Sequence, residues 1–196
     1  MRVTREPLIQ TVGCVNWPDR WPGRPEVSFE ISCSGDELLL NFHVREDCSR
    51  AVCSADRQPV WEDSCVEFFF APCGDGLYYN FEFSCIGKLW LCCGKGRENR
   101  VFLPEEAYSA VRRRSSLGTE PFGLREGAQE WQLELAIPAR ALAFHRLDSF
   151  RGLHARGNFY KCGNLLPCRH YLSWAPVRTP APDFHRPEYF DLIDFE

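Results

Sequence analysis

Apolar and polar residues alternate with a period of two over much of the chain, which is the pattern of strands with one face in a core. Val27, Phe29, Ile31 and Cys33 alternate with Ser28, Glu30 and Ser32, and after Ser34-Gly35-Asp36 the series resumes at Leu38, Leu40, Phe42 and Val44. Two such runs joined by a Gly-Asp turn predict a hairpin. A second hairpin is predicted from Ser64–Phe70 and Leu77–Cys85 around Pro72-Cys73-Gly74-Asp75-Gly76, with a third strand, Lys88–Cys93, after the turn at Gly87. Trp131, Leu133, Leu135 and Ile137 alternate in the same way. Further strands are read at His154–Cys162, Tyr171–Trp174 and Tyr189–Phe195. Pro138 is placed to start a short helix over Ala139–Phe144. Another short helix is expected at Pro104–Val111, between polar surface loops at Gly94–Arg100 and Arg112–Gly127. With no dividing linker and no repeat, residues 1–196 read as one all-β domain, an antiparallel β-sandwich of immunoglobulin or jelly-roll type.

Period two also sorts the side chains. On the strand after Trp61-Glu62, Val66, Phe68 and Phe70 share one face, and Asp63, Cys65, Glu67 and Phe69 the other. On its partner, Phe81 and Phe83 oppose Asn80 and Glu82. One sheet surface can therefore gather Asp63, Glu67, Asn80 and Glu82, groups that bond adjacent hydroxyls of a polyol. Aromatic rings stack on the C–H faces of sugars, and two tryptophans sit beside turns or prolines: Trp61, and Trp174 in Ser173-Trp174-Ala175-Pro176. Trp131, in its alternating strand, reads as core.

Charge narrows the classes of function. A net charge of -4 gives no electrostatic support for binding nucleic acid or an anionic membrane, and Arg112-Arg113-Arg114 reads as a solvated loop. No apolar run approaches a membrane span. Eleven cysteines are an odd number, several at core positions of strands, and the N-terminus has no apolar leader; free thiols in the cytoplasm are expected.

The blocks Val60–Phe69, Tyr78–Gly87, Asn158–Gly163, Ser173–Pro176 and Pro182–Phe190 together resemble the family 9 carbohydrate-binding modules, and more narrowly the stand-alone proteins of that type found in Bacteroidetes. The resemblance implies a β-sandwich that holds a sugar chain end between two tryptophans without catalysis, in the service of carbohydrate breakdown, and that carries structural calcium. It implies Trp61 and Trp174 for the slot and Glu67 for the hydroxyls. Asn80, Glu82 and Lys88 follow from the same blocks, and Arg156, Asn158 and Tyr160 from the face of a nearby strand. The chain departs from secreted relatives in showing neither an export signal nor an attached catalytic domain, and no compact Asp-rich calcium loop is legible. A short oligosaccharide met in the cytoplasm is therefore the expected ligand.

Three other chemistries compete with this reading. Asp63, Glu67 and Glu82 could supply the carboxyl pair of a glycoside hydrolase, or of an accessory subunit of one. Cys162, Cys168, His170 and His185 could be zinc ligands, although their spacing is looser than structural zinc favours. Haem lacks its usual Met and His axial pair, because Met1 is the single methionine. His185 reads as a loop organiser.

Overall fold

A computed structural model of the protein describes residues 1–196. Its strands are β1 (Arg2–Val3), β2 (Leu8–Thr11), β3 (Cys14–Val15), β4 (Glu26–Ser34), β5 (Glu37–Ala51), β6 (Cys65–Ala71), β7 (Tyr78–Ser84), β8 (Leu89–Gly94), β9 (Val101–Phe102), β10 (Arg112–Ser115), β11 (Phe122–Pro138), β12 (His154–Cys162), β13 (Tyr171–Ser173) and β14 (Asp191–Phe195). The one α-helix, α1, is Glu105–Ala110. The first sheet runs β1-β14-β12-β6-β7-β8-β9, with β13 pairing to β12 and β3 to β13; the second runs β10-β11-β5-β4-β2. Only β1 and β14 pair in parallel. This is the expected β-sandwich.

The predicted hairpins form, and the first turns on Gly35 at φ +71°, which a glycine adopts without strain. The inner faces meet in a cluster of 39 buried residues. At its centre Phe29 of the second sheet stacks on Phe159 of the first at 3.9 Å, and Phe159 stacks on Phe68 at 4.5 Å. Trp131 is buried there as expected, with its indole N–H donating to Glu46 Oε1 at 2.7 Å. Glu46 Oε2 lies 2.8 Å from the Lys161 ammonium, and both side chains are enclosed. Lys161 also reaches the Cys162 carbonyl and His170 Nε2. Burial and the Lys161 charge push His170 down to about 2, so its ring is neutral and accepts that proton contact. An ion pair thus ties β5 to β12 across the core.

The segment expected as a loop over Arg112–Gly127 is largely strand. β10 pairs with the end of β11, and β11 runs back through Phe122 along β5 with two register shifts. The arginine run is tolerated because β10 is an edge strand, where charged side chains reach solvent and discourage further pairing. Arg112 bridges Glu37, Arg113 bridges Asp56 and Arg114 bridges Glu134. The helix expected over Ala139–Phe144 is a single tight turn, Ala139–Ala141. The last strand starts at Asp191 rather than Tyr189, whose residue belongs to another tight turn, Pro187–Tyr189.

Two layers alone would leave the outer face of the first sheet in water. It is instead partly covered. In a second cluster of 11 buried residues, Cys65, Phe69, Tyr78, Tyr160 and Cys162 of the sheet pack under Trp17, Val177, Phe184 and Phe190 of the overlying segments.

Candidate functional site

Strand register lays out the floor of a cavity on this outer face. Residues directly opposite in an antiparallel pair share a face, so each row across the sheet lists neighbours. One row reads Tyr160, Glu67, Glu82, Trp90 across β12, β6, β7 and β8. Beside it run Asn158, Phe69, Asn80, Cys92 and Phe102, and on the other side Cys162, Cys65 and Ser84. The cavity above these rows has a volume of about 470 Å³.

Its walls are aromatic. Trp61, on the tight turn Val60–Glu62, meets Trp90 at 4.8 Å and 86°, and Phe102 buttresses Trp90 at 4.6 Å. Tyr171, Phe184 and His185 form the facing wall, and Arg97 and Asp183 close the rim through a 2.7 Å ion pair. Phe184 keeps its place by stacking on Tyr160 at 4.1 Å.

The polar floor is held in a relay. Arg100 donates from Nε and Nη2 to Asn80 Oδ1 at 2.9 and 2.7 Å, and also reaches the carbonyls of Gly96 and Tyr78. Asn80 Nδ2 in turn donates to Glu82 Oε1 at 2.6 Å. Glu67 Oε1 accepts from the Cys162 thiol at 3.1 Å. Burial holds both carboxyls well above the usual carboxylate range, reinforced by Cys162 for Glu67 and by Glu67 for Glu82. Burial likewise pushes His185 down to about 3, with Arg100 and Arg97 adding to the effect; its Nδ1 pairs with the Tyr78 hydroxyl at 2.9 Å. The floor therefore offers hydrogen-bond donors and acceptors beside apolar rings, which suits hydroxyl groups on a compact ligand.

Of the residues expected at the site, Trp61, Glu67, Asn80 and Glu82 line the cavity. The others do not. Trp174 fails to form a slot with Trp61: it packs edge-on against Phe159 at 5.9 Å and its N–H donates to Gln10, so it closes the inter-sheet core. Strand parity explains this, since Trp174 follows Leu172, a core residue, by two positions. Trp90 stands beside Trp61 instead. Asp63 is buried away from the cavity, accepting from Arg50 at 2.8 Å and from the Cys53 amide at 2.8 Å. Lys88 lies in the turn joining β7 to β8. Arg156 is spent on the Phe190 carbonyl. Asn158 is fully buried and clamps both the amide and the carbonyl of Ala175, each at 2.9 Å. Tyr160 is enclosed behind Phe184, donating to its carbonyl at 3.2 Å.

Sequence reasoning missed Trp90, Arg97, Arg100, Phe102, Tyr171, Asp183 and the wall position of His185. A usable signal existed for Trp90 alone, because Leu89 and Leu91 flank it and period two turns it outward.

The zinc set read from sequence does not assemble: Cys168 is exposed, His170 faces Lys161 and His185 faces Tyr78. Calcium takes about six to eight oxygen ligands. The one cluster of metal-binding side chains, Cys65, Glu67 and Cys162, supplies two sulfurs and one carboxylate, which does not fit it.

Comparison with known proteins agrees with the fold. A protein from Bacteroides uniformis ATCC 8492, described as a candidate carbohydrate-binding protein, has a crystal structure that superposes with a TM-score of 0.94 at 45% identity, covering 97% of this chain and 87% of that one. A carbohydrate-binding module of family 9 from Caldicellulosiruptor kristjanssonii, solved with glucose, matches at 13% identity and a TM-score of 0.57 over 100% of this chain and 96% of that one. The same kind of module solved with cellotriose matches at 12% and 0.55, over 100% and 94%. At those identities the likeness is one of fold. No protein of curated function matches. The family model for carbohydrate-binding family 9 matches residues 3–195, and the chain belongs to that family.

Proposed function

We propose that the protein binds carbohydrate without transforming it, and that the cavity over β6, β7 and β8 takes one sugar unit at the end of a glycan or oligosaccharide. The observation that carries this reading is the pairing of the Trp61–Trp90 corner with a floor of Glu67, Asn80 and Glu82. Indole faces cover C–H surface while the acids and amide meet hydroxyls, the division that a sugar ring requires. A volume of about 470 Å³ suits a short ligand. The Caldicellulosiruptor modules with bound glucose and cellotriose support a gluco-configured ligand as the first to try.

Hydrolysis is less well served by this arrangement. A glycosidase needs carboxyl groups flanking the scissile bond. Glu67 and Glu82 are direct cross-strand partners on one floor, and Asp63 is locked to Arg50 elsewhere. Calorimetric titration with glucose, cellobiose and cellotriose tests the proposal. Binding to the wild type should weaken about tenfold or more in Trp61→Ala and Trp90→Ala, as expected for aromatic anchors. Equal affinity in both variants, or release of glucose from cellotriose by the wild type, would overturn it.

A further inference from the structure

Carbohydrate binding does not explain why two thiols lie under the carboxyl group of Glu67. Cys65 and Cys162 are direct cross-strand partners on β6 and β12, and Glu67 follows Cys65 by two residues on the same face. One ligand atom from each of the three falls within 4.8 Å of the others, and the Cys162 sulfur is 3.1 Å from Glu67 Oε1. All three side chains are buried, whereas Cys168 and Cys73 are exposed. Glu67 and Cys162 form part of the cavity lining, and Cys65 lies behind them.

We infer that Cys65, Cys162 and Glu67 form a three-ligand site for a borderline-soft divalent cation, zinc above all, whose fourth position opens into the cavity. A tetrahedral zinc ion sits about 2.3 Å from sulfur and about 2.0 Å from carboxylate oxygen, which sets its ligands roughly 3.3–3.8 Å apart. The three donor atoms lie within 4.8 Å of one another, so binding requires the widest pair to draw in by up to about 1 Å. Two sulfurs select zinc, cadmium or cobalt over calcium and magnesium, which take oxygen. Binding replaces the proton on each ligand that carries one, and those protons leave to solvent. Two thiolates and one carboxylate against a divalent ion leave one net negative charge; the cations whose fields reach Glu67 are Arg97 and Lys161, which are themselves paired with Asp183 and Glu46. The metal is held by protein groups alone, so it is tested without sugar, although Glu67 belongs both to this cluster and to the floor that carries the carbohydrate reading.

Cobalt(II) is the probe. Reduced wild-type protein, titrated with cobalt in the absence of sugar, should take up one equivalent and develop the near-ultraviolet sulfur-to-cobalt charge-transfer band, which zinc then abolishes. Cys162→Ser should lose the band and bind cobalt at least tenfold more weakly, while Cys168→Ser should behave as wild type. Glu67→Gln keeps both thiols, so it serves if Cys162→Ser fails to fold; it should retain a sulfur band but at tenfold or more weaker affinity. No band at equimolar cobalt, a band that survives in folded Cys162→Ser, or one lost in Cys168→Ser overturns the site.

Discussion

The two faces of the first sheet are built from the same strands and do different work. On the inner face Phe68, Phe81 and Phe159 meet the second sheet in continuous apolar packing. On the outer face, one residue along each strand, Glu67, Glu82 and Asn158 are as deeply buried as those phenylalanines, yet they are carboxyl and amide groups. Burying such groups is unfavourable unless each finds a partner. Arg100, Asn80, Cys162 and the Ala175 backbone provide partners, and the covering segments that carry Phe184 and Phe190 exclude water. The inner face is spent on stability. The outer face carries a stability cost to hold a preorganised polar floor, which is what a binding site needs.

That contrast can be broken most sharply on the inner face. Phe159→Ala should destabilise by about 3–5 kcal/mol in chemical unfolding, since Phe159 links Phe29 to Phe68 and its loss leaves a cavity. Lys161→Met should cost a similar amount, about 3–5 kcal/mol, by stranding the Glu46 charge in the interior.

The tryptophans then separate the faces. Trp174→Ala should lower the melting temperature and leave sugar affinity within about twofold, because its ring serves the inter-sheet core. Trp90→Ala should do the reverse, weakening binding by about tenfold or more with a smaller loss of stability. A Trp174→Ala variant that folds as wild type but no longer binds sugar would contradict this division.

A further effect is in pH. His170 lies at about 2 in the folded protein against an ordinary value of 6.5, so the unfolded chain takes up a proton there that the folded chain refuses. Its contribution is present above pH 6.5 and is lost as pH falls, by about 1.4 kcal/mol per pH unit. Glu82 acts in the opposite sense: its folded value is raised, so its contribution is present at low pH and lost as pH rises through that value. Urea unfolding between pH 7 and 5 should therefore show His170→Gln gaining on the wild type as pH falls. A constant difference would mean that His170 takes up its proton equally in the folded and unfolded chains.

Much of this was legible in the sequence, for a local reason. Period two is set by backbone geometry, so the hairpins, the sandwich, and the outward turn of Glu67, Asn80 and Glu82 followed from position alone. The family resemblance added the ligand class. What escaped depends on contacts between distant segments. Arg100 and Arg97 sit in a polar loop with no periodic mark, and only the fold brings them over Asn80 and against Asp183. Asp63 looked like its neighbour Glu67, but Arg50 from β5 claims it. Trp174 reads as a slot residue from its nearby Pro176, whereas its parity with Leu172 turns it to the inter-sheet core. Arg112-Arg113-Arg114 read as loop because edge strands need not alternate.

The chain has six tryptophans, and their indole N–H groups provide one direct test of where a sugar binds. In a two-dimensional nitrogen–proton spectrum, titration with cellotriose or another bound glycan should shift the Trp61 and Trp90 indole signals, assigned through the alanine variants. Those of Trp131 and Trp174, held by Glu46 and Gln10, should stay in place. Movement of Trp174 with Trp61 and Trp90 unmoved would put the ligand elsewhere and contradict the cavity as the binding site.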